Sequence, residues 1–215
     1  MDAFDAIMTT RAMRRLSDQA VSVGLIEQCL EAAQQAPSGG NVQPQHYVVV
    51  RDAEVRARLG DVYRRAYDRY EASLPSPDGL EGERRESYLR TRAASRYLAD
   101  NIAAAPVIVV FLQPLIPWGG HDEEGPLDIG RLDASVYPAV QNFCVAARSL
   151  GLGTTLTTVI RVLHGEALEV IGAPRERFEI AALVPVGYPL GRFGRAPRRP
   201  ASRSTHFDRW GNTSG

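Results

Sequence analysis

Residues 106–112, Pro-Val-Ile-Val-Val-Phe-Leu, place the strongest constraint on the fold. A strand with one face in water alternates apolar and polar side chains. An unbroken apolar run of strand length carries apolar groups on both faces and must be covered on both. Phe178 to Val186 has the same character, and His46 to Val50 reads as a third strand. The segments between them have helical spacing. They are residues 2–10, a stretch after Ser22 with Leu25, Ile26, Cys29, Leu30 and Ala33, and a long one after Asp52 with Val55, Leu59, Val62, Tyr63 and Ala66. A charged helix over 83–104, an apolar one over 133–150 and a short one over 163–171 follow. Ser22 and Asp52 can accept the free N–H groups of their helices' first turns, and Gly151 can stop the 133–150 helix. Three strong strands with helices on both faces predict an α+β sandwich, a small mixed β-sheet flanked by helices. No repeat or linker divides the 215 residues, so a single domain over 1–215 is expected. It would have a lid-like helical excursion around 60–104 and an extended tail over 188–215.

The charged residues narrow the chemistry. The chain has no lysine; all 25 of its Lys+Arg cations are arginine. That excludes Schiff-base enzymes, the lysine-containing phosphate loop and Ser-x-x-Lys acylases. Anions fall to guanidinium forks or backbone N–H groups. The cations are balanced by 25 carboxylates, so neither nucleic acid nor an anionic membrane is an expected partner. Two cysteines, Cys29 and Cys144, lie in apolar helical patterns and read as buried packing residues. The histidines at 46, 121, 164 and 206 lack metal-ligand spacing, and no metal site is expected. Gly151-x-Gly153 opens like a dinucleotide fingerprint, but Leu156 holds the third glycine position. An acidic N-terminus with no apolar signal region, and no apolar run near the ~20 residues of a membrane span, predict a cytoplasmic protein.

What remains is a set of anion and ring binders. Arg11, Arg14 and Arg15 cluster between two helices, and Arg198 and Arg199 lie in the tail. The loop over 37–43 offers glycines, two amides (Asn41 and Gln43) and N–H groups. The 151–158 segment offers close-approach backbone and threonines. Spacing alone leaves two readings of each: solvated charges and plain connectors, or grips for a phosphorylated heterocycle that brings its own chemistry. Tyr63, Tyr67, Tyr70 and Tyr88 read equally as lid or packing residues. Trp118 and His121 are pocket candidates in a loop over 114–130.

Five motifs in order resemble the nitroreductase family of FMN-dependent oxidoreductases. They are Thr10-Arg-Ala-Met-Arg-Arg-Leu16, Ala36-Pro-Ser-Gly-Gly-Asn-Val-Gln-Pro44, Ala105-Pro-Val-Ile-Val-Val110, Gln141-Asn142 leading to Gly151-Leu-Gly-Thr154, and Val186-Gly-Tyr-Pro189 followed by Arg198-Arg199-Pro200. The resemblance implies an intertwined homodimer, its C-terminal tail exchanged onto the partner, with FMN at the interface. It implies that Arg11 and Arg15 grip FMN, with Ala12 and Met13 adding backbone contacts. Pro37, Ser38, Gly39, Asn41 and Gln43 would line the flavin from the other subunit. Leu156, Thr157 and Thr158 would face the ring with a backbone N–H donor, and Arg198 or Arg199 would close on the phosphate. It further implies ping-pong reduction of a small acceptor, such as a nitroaromatic or quinone, by NADH or NADPH, with no catalytic side chain. Same-fold alternatives are reductive dehalogenation, flavin fragmentation and FMN storage. The sequence departs from the family pattern at Ala12 and Met13, which replace polar residues, at Arg15, a site that is often lysine, and at Gln45, which replaces an aromatic.

Overall fold

A computed structural model describes residues 1–213. In chain order the elements are α1 (Ala3–Thr9), α2 (Val23–Gln34), β1 (His46–Val50), α3 (Ala53–Ala72), α4 (Gly82–Asn101), β2 (Val107–Pro114), β3 (Gly120–Asp122), β4 (Gly125–Leu127), α5 (Asp133–Ser149), β5 (Gly153–Thr154), α6 (His164–Val170) and β6 (Phe178–Gly187). Ser22 and Asp52 cap α2 and α3 as their sequence positions require: Ser22 Oγ accepts from Leu25 N–H, and Asp52 from Glu54 and Val55 N–H.

The main sheet has the order β1-β2-β6-β5. Val107, Val109 and Phe111 of β2 enter a core with α2 and α5. Ile108, Val110 and Leu112 enter a second core with α3, α4 and α6. None of the six is more than 3% exposed, so the apolar run is covered on both faces. The sandwich is therefore the expected one, but the sheet is not mixed. Its three ladders are all antiparallel. Among the described residues the parallel contribution is an isolated bridge between Ala12 and Thr154. Apolar patterning decides which faces are covered and is silent on strand direction. The 114–130 loop also contains the β3–β4 hairpin, which the sequence analysis reads as irregular.

Gly151 ends α5 with φ +81°, and Leu152 N–H closes the turn on Ala147 O at 2.8 Å. A left-handed residue with a Cβ is penalised by about 1–2 kcal/mol. Gly151→Ala is expected to lower unfolding free energy by that amount, read from the urea midpoint at an unchanged slope.

Two ends of the sheet hold the segments singled out in the sequence. At one, β6 and β5 meet the N-terminal segment. Met13 N–H donates to Thr154 O (2.8 Å), Ser17 N–H to Tyr188 O (2.8 Å), and Leu190 N–H to Arg15 O (3.0 Å). At the other, His46 pairs with Leu112 and brings in the loop that precedes β1. Val107 and Leu112 mark the two ends. Five residues along the strands and three strands across separate them by roughly 20 Å.

Candidate functional site

The first end gathers residues 11–15 and 154–158. Arg11 is exposed and Arg14 half-buried. Neither makes an ion pair or hydrogen bond among the described residues, which leaves both guanidiniums available to an anion. Arg15 lies over the Tyr97 ring at 3.9 Å. Met13 is buried, and Ala12 forms the bridge to Thr154. Leu156 and Thr158 are exposed, whereas Thr157 is buried. Thr157 N–H is committed to Leu183 O at 3.0 Å. The donors left free on this edge are therefore the N–H groups of Leu156 and Thr158. Burial holds the Tyr63 phenol above its usual range, with the Thr157 hydrogen bond and the Arg14 charge pulling the other way.

The second end is the loop over 37–43. Gly40, Asn41 and Gln43 all have left-handed backbone, with φ of 57°, 56° and 45°. Two such residues besides glycine within one short loop need support, and it comes from the loop itself and from α2 and α5. Ser38 Oγ accepts from Gln43 N–H at 3.0 Å, Gly39 N–H donates to Ser135 Oγ at 3.1 Å, and Gln34 Nε2 donates to Gln43 Oε1 at 3.1 Å. Asn41 and Val42 N–H close on Ser38 and Gly39 carbonyls. Gly40 alone of residues 39–43 keeps a free N–H, which corrects the expectation of a loop rich in free donors. Here the glycine at 39 serves close approach: a Cβ there would lie 3.1 Å from the Trp118 ring. Gln45, which the resemblance marks as a departure, is buried, and its amide has no hydrogen-bond partner among the described residues.

The predicted residues thus fall into two groups that one chain does not bring together. Pro37, Ser38, Gly39, Asn41 and Gln43 sit at one end of the sheet. Arg11, Ala12, Met13 and Arg15 sit at the other, and Leu156, Thr157 and Thr158 run from it along the β5 edge, with Thr157 level with Leu183 and Val110. Arg198 and Arg199 are exposed in the tail, and no hydrogen bond or ion pair links them to either group among the described residues. A 630 Å³ groove lined by His164, Glu166, Glu169 and Arg175 includes none of the predicted residues. Arg14 has no role in the family resemblance, and the sequence leaves Tyr63 open between lid and packing. No local signal marks Tyr63, because its partner Thr157 is 94 residues away. Burial pushes the Cys29 thiol up to about 12 and raises that of Cys144, so neither offers a thiolate. Among the described residues no cluster of His, Cys, Asp or Glu forms a metal site, and no helix is long and apolar enough to cross a membrane.

The nitroreductase family model matches residues 7–188. The chain belongs to the nitroreductase family. Within it, a 4-nitrobenzoate reductase of Nocardioides sp. (strain LMS-CY) is 31% identical over 213 residues, covering 87% of this chain and 81% of the relative. An FMN reductase [NAD(P)H] of Bacillus subtilis (strain 168) is 24% identical over 214 residues, covering 94% and 72%. The crystal structure of oxidised iodotyrosine deiodinase bound to FMN and 3-iodo-L-tyrosine has the same fold, with a TM-score of 0.70 at 21% identity, covering 93% of this chain and 96% of that one. The family fold therefore carries more than one chemistry, and the choice among them belongs to site residues rather than to topology.

Proposed function

We propose that this nitroreductase-family chain is an FMN-dependent oxidoreductase. It would act as a homodimer and use NADH or NADPH to reduce small acceptors such as nitroaromatics or quinones. The observation that carries the reading is the division of the binding residues into two half-sites about 20 Å apart. Two-fold pairing of chains sets one chain's 11–15 and 154–158 edge against the other's 37–43 loop and completes two identical sites. Phe4, Ile7, Leu190 and Trp210 are each more than half exposed on the single chain. So much apolar surface fits a covered interface, with the tail over 188–215 lying on the partner.

The residues present fit FMN. Arg11, Arg14 and Arg15 supply positive charge at one edge, and Arg198 or Arg199 adds to it from the tail. The N–H groups of Leu156 and Thr158 donate toward the ring. Pro37, Ser38, Gly39, Asn41 and Gln43 form the opposing wall. The chemistry that FMN supplies when bound is electron transfer from a reduced nicotinamide to the acceptor. The chain's own part is to orient, exclude water and place positive charge and N–H donors where negative charge develops. No side chain need act as acid or base. The helices around 60–104 would form the lid of the acceptor pocket.

The purified protein is expected to be yellow, or to become so with added FMN, and to run as a dimer. Anaerobic NADH or NADPH should bleach the flavin band rapidly, and a quinone or nitroaromatic should restore it. A stable yellow band under reductant would make the protein an FMN carrier instead. A colourless monomer that ignores excess FMN would overturn the reading.

A further inference from the structure

Thr157 is fixed on every polar atom it has. Its N–H donates to Leu183 O at 3.0 Å, and its carbonyl accepts from Leu183 N–H at 2.9 Å. Its hydroxyl lies 3.0 Å from the Tyr63 phenol oxygen and accepts from Val159 N–H at 3.4 Å. In an extended segment successive N–H groups point to opposite sides. The bridge between Thr157 and Leu183 therefore turns the flanking N–H groups of Leu156 and Thr158 outward, where they have no partner among the described residues. The Thr157 hydroxyl faces inward, so Thr157 itself offers no side-chain alcohol to this edge.

Tyr63 reaches Thr157 from α3 and is itself only 2% exposed. A buried phenol must find a partner, and this one finds it in the middle of the donor edge. Arg14, whose guanidinium has no ion-pair partner among the described residues, also acts on the same phenol. A side chain remote from any ligand surface is thus wired to the segment that carries the two free donors.

We propose that Tyr63 is a positioning residue. Its hydrogen bond to Thr157 holds the Leu156 and Thr158 N–H pair in register with the cofactor's reactive edge and couples that edge to α3. The inference rests on FMN binding at this edge. It adds that donor geometry depends on a side chain touching neither cofactor nor substrate.

Tyr63→Phe removes one oxygen and keeps the packing. Thr157→Val removes the same hydrogen bond from the other side, together with the acceptor for Val159 N–H, and Thr157→Ser retains both. A net hydrogen bond of this kind is worth a factor of roughly three to ten. Both Tyr63→Phe and Thr157→Val should bind FMN at wild-type stoichiometry. Each should be reduced by NADPH three- to tenfold more slowly, with a midpoint potential more negative by about 15–30 mV, the two-electron equivalent of that factor. The double variant should be no worse than Thr157→Val alone, and Thr157→Ser should stay near wild type. In the FMN-free protein, amide hydrogen exchange at Thr157 should speed up by a similar factor in Tyr63→Phe. Potential, rate and exchange all matching wild type in FMN-loaded and FMN-free Tyr63→Phe would overturn the proposal and leave the FMN reading intact. Failure of the wild-type protein to take up FMN would instead overturn that reading.

Discussion

Gly153→Val is expected to leave purification without its flavin colour and to unfold at a lower urea concentration than wild type. A Cβ on residue 153 would lie 2.9 Å from Met13 Cβ, 3.1 Å from Leu16 Cδ2 and 3.2 Å from Pro189 Cβ. Met13 Cβ is bonded directly to the backbone and has no rotamer by which to move aside. The segment that carries Arg11, Arg14 and Arg15 must therefore shift as a whole. That shift pulls Met13 N–H away from Thr154 O, the 2.8 Å bond that docks the segment on β5. Overpacking costs about 1–3 kcal/mol, and the lost hydrogen bond adds about 1 kcal/mol. The effect on cofactor is larger than the effect on stability, because a guanidinium moved by an ångström no longer meets its anion in fork geometry. Gly24→Ala on α2, where a Cβ meets nothing within 4 Å, is the control and should match wild type. Wild-type flavin content in Gly153→Val would mean that close packing at Gly153 does not place the arginine segment.

Which parts of this arrangement were legible in the sequence follows from the range of each interaction. Caps are local, so Ser22, Asp52 and Gly151 announce the ends of α2, α3 and α5 within three residues. The run from Val107 to Leu112 announces its two-sided burial because alternation is a property of the strand alone. Strand direction is not local, and the mixed sheet expected from the sequence is antiparallel. The β3–β4 hairpin escaped notice because its strands, Gly120–Asp122 and Gly125–Leu127, are three residues each and contain glycine or proline, so they show no period. The family motifs mark segments but not the use of each atom. The loop over 37–43 spends most of its N–H groups on its own left-handed turn, a conformation that no residue count displays. Arg14 and Arg15 are neighbours of the same type, yet Arg14 is half-buried and Arg15 is exposed and stacks on Tyr97. Only the packing of α3 and α4 separates them.

Mixing two inactive variants is expected to restore FMN binding to about one quarter of wild type, and this outcome distinguishes a shared site from one built within a single chain. Arg11→Glu reverses the charge at one half-site. Gly39→Asp disrupts the other, where an added Cβ would press on the Trp118 ring at 3.1 Å. In a homodimer of either variant, both sites contain one damaged half, so each should be nearly colourless. In a mixed dimer the sorting changes. One site combines the intact 11–15 edge of the Gly39→Asp chain with the intact loop of the Arg11→Glu chain. The other site collects both lesions. Random pairing puts about half of the dimers in the mixed class, each with one working site of two, hence one quarter overall. The two variants would be unfolded together, refolded with FMN, and flavin absorbance per chain compared with each variant treated alone. If a single chain built a complete site, every chain in the mixture would carry a lesion in its own site, and mixing would restore nothing. Recovery near one quarter therefore requires that the two ends of the sheet, which the single chain holds apart, meet across a two-fold axis.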